Sequence, residues 1–162
     1  MLYTSYFANI KKLPQFTIPV SIALKPIPNW SGLQYRKVSP TEEILHAWKQ
    51  NHDIPLYCTT YKQKVLDRLT PGEVAEELQN LALEEVKRSH LTVFLNDTGN
   101  QKEKIWENEK VHIALLCYEK PDDFCHRHLL SKWLSEHGYS CSEYVAPKAD
   151  AAKRPEKYKL TF

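Results

Sequence analysis

The chain has 162 residues, which is enough for one globular domain and too few for two of ordinary size. Hydrophobic residues make up 42% of it and supply a core that needs neither disulfides nor a metal. The 22 basic and 20 acidic residues nearly cancel, so no global field draws the protein onto DNA or an anionic membrane. Any nucleic-acid role must therefore rest on a local site.

Several common motifs are absent. The glycines Gly32, Gly72, Gly99 and Gly138 lie too far apart to share a phosphate-binding loop, which excludes the G-x-G-x-x-G and P-loop signatures. No apolar run is long enough to span a membrane, and no signal-peptide core follows the N-terminus. We therefore expect a cytoplasmic protein with free thiols and no membrane partner.

The first half of the chain predicts two strands and three helices. Residues 2–7 are β-prone, and residues 18–24 are apolar nearly throughout, as in a strand buried on both faces. Ser39 and Thr70 open the motifs S-P-T-E and T-P-G-E, which predict helix starts with these two residues as N-caps. Between them, residues 56–69 carry apolar side chains at helical spacing.

The second half predicts two more strands around one helix. Residues 98–110 are polar and charged, as in an exposed loop or a short helix, and residues 111–118 form a buried-strand pattern. A helix with an apolar face follows directly, and Gly138 stands where a C′ glycine belongs. Residues 142–145 predict a last short strand. The apolar face comprises Leu129, Leu130, Trp133 and Leu134.

Strands that alternate with helices predict an α/β fold. We expect a Rossmann-like three-layer domain with a mainly parallel sheet over residues 1–146. Residues 147–162 form a polar, basic C-terminal tail that is expected to be loosely held.

The reactive side chains concentrate where the strand of residues 111–118 meets the next helix. Cys117 and Glu119 end the strand, and Cys125, His126 and Arg127 open the helix. Ligands bind beyond the carboxyl ends of strands in open α/β sheets, and a helix N-terminus favours anions. The junction therefore predicts a site that combines a nucleophile, an acid or base, and an anion clamp.

Each of these residues receives a predicted role. Glu119 is a candidate general acid or base, and Cys125 or Cys117 a candidate nucleophile, because a helix start and His126 should lower the pKa of Cys125. Arg127 is predicted to clamp a phosphate or carboxylate, since its charge lies at the positive end of the helix dipole. The alternatives are that both cysteines belong to the core and that Glu119 and Arg127 are solvated.

A zinc site is weighed and not predicted. Cys117, Cys125, His126 and His128 are possible ligands, but the spacing C-x7-C-H-x-H matches no usual zinc motif. Adjacent helical residues also point about 100° apart. The H-x-E and P-C-x-x-C motifs of zinc deaminases and the G-x-S-x-G of serine hydrolases are absent as well. We expect neither a metal nor another cofactor.

The strings L-L-C-Y-E-K-P and F-C-H-R-H-L-L resemble the family called domain of unknown function 488. Its members carry a strand that ends in cysteine, a glutamate two residues later, and Cys-His-Arg at the next helix. The resemblance covers most of the chain except residues 84–110, and it is to a divergent branch. Ser21 and Ala23 stand where the main branch has Asp and Arg. The resemblance implies a Rossmann-like fold and no established activity.

Two functions of different classes follow from the sequence. The first is an enzyme that acts on a nucleotide or nucleic-acid component, with an anionic small molecule or a phosphate held by Arg127 and His126. The second is a non-catalytic anion- or nucleotide-binding module in which aromatic side chains stack on a base. We favour the enzyme, because a binding module needs no carboxylate and two thiols beside its anion site. Further candidate ligand contacts are Ser21, Trp30, Tyr35, Tyr57 and Tyr61.

Overall fold

The computed structural model describes residues 1–88 and 111–146, whose strands form one five-stranded, all-parallel sheet. The strand order is β3-β2-β4-β1-β5. The predicted α/β fold with three layers and a mainly parallel sheet is confirmed. The loop or helix predicted for residues 98–110 and the tail 147–162 lie outside the described residues. The strands are β1 (Leu2–Tyr6), β2 (Thr17–Ser21), β3 (Leu33–Gln34), β4 (His112–Cys117) and β5 (Cys141–Glu143).

Four α-helices and three 3-10 helices connect these strands within the described residues. Over these ranges no helix combines the length and the apolar character that crossing a membrane requires. The α-helices are α1 (Glu42–Asn51), α2 (Ile54–Lys64), α3 (Pro71–Arg88) and α4 (His126–Glu136), and the 3-10 helices are Phe7–Lys12, Arg36–Val38 and Leu66–Arg68.

The two faces of the sheet are covered by different elements. Alternate side chains of β2 and β4, such as Val20 and Leu115, pack against the buried side chains of α2, α3 and α4. The other face, with Ala114 and Leu116, packs against the 3-10 helix Phe7–Lys12 and the loop after β2. Since both faces are covered, the central strands are apolar at nearly every position, as parallel strands require.

Local sequence sets the helix boundaries, with one correction. The capping box at Thr70 is present, because the hydroxyl of Thr70 accepts from the Glu73 N–H and the Glu73 carboxylate accepts from the Thr70 N–H, both at 3.3 Å. The prediction that Ser39 caps α1 is wrong, since Thr41 is the N-cap. The Ser39 hydroxyl instead donates to the carbonyl of Ile22 at 2.8 Å and ties the loop to the end of β2.

Two further boundaries concern helix ends. The helix predicted over residues 56–69 is interrupted at Val65, where α2 ends and a 3-10 helix follows. Gly138 has a φ of 89°, the left-handed conformation expected of a glycine just beyond α4.

The strand order creates a crevice between β2 and β4. The chain leaves β2 towards β3 on one side, and it leaves β4 across β1 towards β5 on the other. Loops that diverge from neighbouring parallel strands leave space at the carboxyl edge, where α/β proteins bind ligands.

Candidate functional site

A cavity of about 520 Å³ lies at this crevice. Its walls come from the loop after β2, from α1, from Tyr57 of α2, and from the junction between β4 and α4. The junction contributes Cys117, Glu119, Cys125 and His126. The structure thus brings together the three predicted catalytic residues and two predicted ligand contacts, His126 and Tyr57, whose chemical roles stay predictions.

The buried end of the cavity contains two thiols and an imidazole. The Nδ1 atom of His126 lies 3.7 Å from Cys117 Sγ and 3.8 Å from Cys125 Sγ. On its other side, His126 Nε2 lies 3.1 Å from the carbonyl oxygen of Ile22. Glu119 completes the group, because its Oε2 accepts a hydrogen bond from Cys117 Sγ at 3.3 Å. The side chains of Cys117, Cys125, His126 and Glu119 thus contact one another at the buried end, and the loop after β2 contacts His126.

The conformation of Cys125 explains how adjacent residues reach the same point. Cys125 is the N-cap of α4 and has extended backbone angles, φ −153° and ψ 143°, while His126 is the first helical residue. The argument from 100° helical spacing against a shared metal site is therefore wrong, because it took both residues as helical. Within the described residues, Cys117, Cys125 and His126 form the group whose ligand atoms all lie within 4.8 Å of one another.

The environment separates the acidities of the reactive groups. The hydrogen bond with Cys117 lowers the pKa of Cys125, and His126 adds to this effect against the opposing influence of burial. The same hydrogen bond, together with burial, raises the pKa of Cys117. Burial and the charge on Cys125 raise the pKa of Glu119. The lowered pKa of Cys125 has the expected direction, but its largest cause is Cys117 rather than His126.

Arg127 lies outside the cavity walls and is fully buried. Its guanidinium makes four hydrogen bonds, two to the Glu143 carboxylate at 3.1 and 3.2 Å and two to the carbonyls of Glu119 and Lys120 at 2.7 and 2.9 Å. These contacts do not support the predicted role of Arg127 as an anion clamp, because the guanidinium is already bonded within the protein. The acid that balances its charge is Glu143, and no external anion is needed for that.

The other predicted ligand contacts are not among the residues that line the cavity. Ser21 is fully buried and by strand alternation faces the sheet side opposite α4; its hydroxyl has no partner among the described residues. Trp30 packs on Phe7 on that same side. Tyr61 is fully buried and donates to the Val38 carbonyl at 2.6 Å. The geometry therefore does not bring Ser21, Trp30 or Tyr61 to the ligand space.

Tyr35 is likewise a core residue, and its hydroxyl donates to the Glu77 carboxylate at 2.7 Å. Of the four tyrosine and tryptophan side chains proposed to stack on a base, Tyr57 alone lines the cavity. His128 points elsewhere as well, with its Nε2 at 3.7 Å from Glu143 Oε2. It is not part of the thiol and imidazole cluster.

Sequence reasoning missed two aromatic walls and the basic rim of the cavity. Trp48 belongs to α1, and nothing in its spacing distinguishes a cavity wall from a core residue. Phe124 directly precedes the motif C-H-R, and that proximity could have singled it out. Lys25 and Lys49 lie at the exposed rim, on segments far from the motif in sequence.

No family model, curated protein or solved structure matches the chain. The resemblance to the domain of unknown function 488 therefore stays a prediction from the sequence motifs, and the function is argued from the geometry of the cavity.

Proposed function

We propose that the protein is an enzyme that acts on a nucleotide or nucleic-acid component bound in the cavity between β2 and β4. The observation that carries the proposal is the layout of this cavity. Reactive groups occupy its buried end, aromatic rings form a wall, and lysines stand at its rim. A nucleotide has a reactive centre, a planar base and an anionic phosphate, which these three parts would receive.

The aromatic wall suits a planar ligand. The rings of Trp48, Tyr57 and Phe124 pack against one another, with centroids 4.9 to 5.6 Å apart, and all three line the cavity. Trp48 and Phe124 are only partly buried, so ring surface remains available to a ligand. Stacking of a base on such a ring contributes about 1 to 3 kcal/mol.

The rim suits an anion. Lys49 is exposed there, and Lys25 forms a 3.2 Å ion pair with Glu42 in which both side chains are more than three-quarters exposed. Exposed pairs of this kind are weak, so a phosphate can compete for Lys25. The N-terminal turn of α4 adds positive potential, and the side chain of its N-cap, Cys125, does not cap it.

The buried end suits catalysis better than simple binding. Glu119 is half-buried next to Cys117 and can exchange a proton with a bound ligand. Two cysteines and a histidine stand beside it at distances that allow direct chemical participation. Recognition of a base and a phosphate alone would need none of these groups.

The test measures binding of a panel of nucleoside monophosphates, short single strands and inorganic phosphate by calorimetry. Trp48→Leu should weaken nucleotide binding about 5- to 150-fold, the equivalent of one lost stacking contact. Trp30→Leu is the matched control, because Trp30 is also partly buried but is not among the residues that line the cavity. Lys49→Ala should lower the nucleotide affinity and make that affinity less dependent on salt concentration. Lys132→Ala, on the outer side of α4, should change neither.

Chromatography of the incubated nucleotides then separates the two candidate functions. Conversion of a nucleotide by the wild-type protein, and its loss in Glu119→Gln, supports the enzyme. Tight binding without conversion supports the non-catalytic module. Equal affinity of the wild-type protein and Trp48→Leu for every member of the panel would contradict both.

A further inference from the structure

We propose that Cys117, Cys125 and His126 bind a zinc ion at the buried end of the cavity, with one coordination position open towards the cavity. This goes beyond the proposed function, since the site would exist whatever ligand the cavity takes. The donor set is chemically suitable, because thiolates and imidazole are the ligands that zinc prefers. One donor comes from the end of β4 and two come from the start of α4.

The distances between the ligand atoms match a tetrahedral zinc site. With zinc–sulfur bonds near 2.3 Å and zinc–nitrogen bonds near 2.0 Å, a sulfur and a nitrogen on one tetrahedral zinc ion lie about 3.5 Å apart. The corresponding distances here are 3.7 and 3.8 Å, and all three atoms lie within 4.8 Å of one another. A tetrahedral zinc ion holds its two sulfur atoms about 3.8 Å apart, so binding would require at most a small approach of the two cysteine side chains.

The second ring nitrogen of His126 supports the same conclusion. Its partner is the carbonyl oxygen of Ile22, at 3.1 Å, and a carbonyl can only accept. Nε2 therefore carries a hydrogen, and Nδ1 is the ring atom that faces the two sulfur atoms. Metal-bound histidines are held in the same way, with the distal N–H donated to a carbonyl or a carboxylate.

The position of Glu119 indicates a catalytic rather than a structural metal. The Glu119 carboxylate contacts Cys117 but is not part of the three-residue cluster, and Glu119 lines the same cavity as Cys117, Cys125 and His126. Catalytic zinc sites use three protein ligands and bind water at the fourth position. Glu119 is placed to accept the proton that such a water loses when it becomes hydroxide.

The first test measures metal content in the full chain without any nucleotide. Protein reduced with a phosphine and dialysed against zinc should hold about one zinc per chain. Its Co²⁺ form should show thiolate-to-metal charge-transfer bands and the visible bands of a tetrahedral complex. Cys117→Ser and Cys125→Ser should lower zinc affinity by more than tenfold, since even loss of an outer contact costs about 10- to 100-fold. Cys58→Ser, on α2 away from the cavity, is the matched control and should bind zinc normally.

Two further measurements keep the test decisive. Glu119→Gln should keep its zinc, and loss of zinc in this variant would overturn the open fourth position. If a cysteine variant fails to fold by circular dichroism, the Co²⁺ spectrum of the wild-type protein decides alone. Reduced wild-type protein that binds no zinc, or a Co²⁺ complex without thiolate bands, would refute the site. Because these measurements use no nucleotide, they leave the proposed function to its own test.

Discussion

His126 and Arg127 are consecutive residues of α4, and both are buried, yet they serve regions of opposite character. The His126 ring lines the cavity and faces the sulfur atoms of Cys117 and Cys125. The Arg127 guanidinium lies outside the cavity walls, with four hydrogen bonds to the protein. One side of the junction thus offers groups to a ligand, while the other uses its groups internally.

The second region holds the first in place. Arg127 binds the carbonyl oxygen of Glu119, and so it fixes the loop that carries the candidate acid or base. Its partner Glu143 on β5 also accepts a 2.7 Å hydrogen bond from Thr4 on β1. We call the Thr4, Arg127 and Glu143 side chains the brace. Because the brace joins β1, β5 and the loop after β4, we infer that Arg127 positions the site without contacting the ligand.

The largest expected effect comes from breaking the brace. Arg127→Met should lower the free energy of unfolding by about 3 to 5 kcal/mol, because it removes the positive charge that pairs with the Glu143 carboxylate and the donors to two carbonyls. Urea denaturation should show a lower midpoint with an unchanged slope. Arg68→Met is the surface control, since Arg68 is exposed, and it should change stability by less than about 0.5 kcal/mol.

Glu143→Gln completes a double-mutant cycle with Arg127→Met. A coupling energy of about 0.5 to 3 kcal/mol is expected for side chains in direct contact. Loss of nucleotide binding in Arg127→Met at full stability would contradict the brace. It would return Arg127 to the role of a ligand contact.

The sequence predicts the fold and the location of the candidate site better than it predicts the arrangement of side chains within the site. Hydrophobic runs and the Thr70 capping box depend on local spacing, and they locate α3 and four of the five described strands, but not the two-residue strand β3. The motif residues Cys117 and Cys125 mark the junction for the same reason. The sequence does not show that His126 faces the cavity and that Arg127 does not. His126 reaches the thiols because its neighbour Cys125 is an extended N-cap, and Arg127 is held by Glu143, sixteen residues further along the chain. Local residue spacing reveals neither of these two features.

A smaller effect is expected in the alkylation rates of Cys125, which lines the cavity, and Cys141, which does not. Burial raises the pKa of Cys141 to about 12 from a usual value of 9.0, a difference of three that lowers its thiolate fraction about a thousandfold near neutral pH. With zinc chelated, iodoacetamide should therefore modify Cys125, which lines the cavity, long before Cys141. Peptide mass spectrometry over a time course measures both rates.

The same protein in urea is the control, because Cys141 should there react like an ordinary thiol. Added zinc should slow the alkylation of Cys125 and leave the alkylation rate of Cys141 unchanged. If Cys141 reacts first in the folded protein, Cys125 belongs to the core and the cavity is closed to reagents.

The smallest expected effect contrasts two tyrosines one turn apart on α2. Tyr57 lines the cavity, whereas Tyr61 is fully buried behind it, and their rings stack with centroids 6.1 Å apart. Tyr61→Phe removes the hydrogen bond to the Val38 carbonyl and should cost about 1 kcal/mol, or a fall of roughly 2 to 4 °C in Tm for a chain of this size. The nucleotide affinity of Tyr61→Phe should not change.

Tyr57→Leu should show the opposite pattern, with a large loss of nucleotide affinity and a small fall in Tm, because it removes a wall of the cavity. Calorimetry and thermal denaturation on both variants measure the contrast. Equal loss of affinity in the two variants would mean that the ligand space extends past Tyr57 into the core, which would refute the cavity boundary described above.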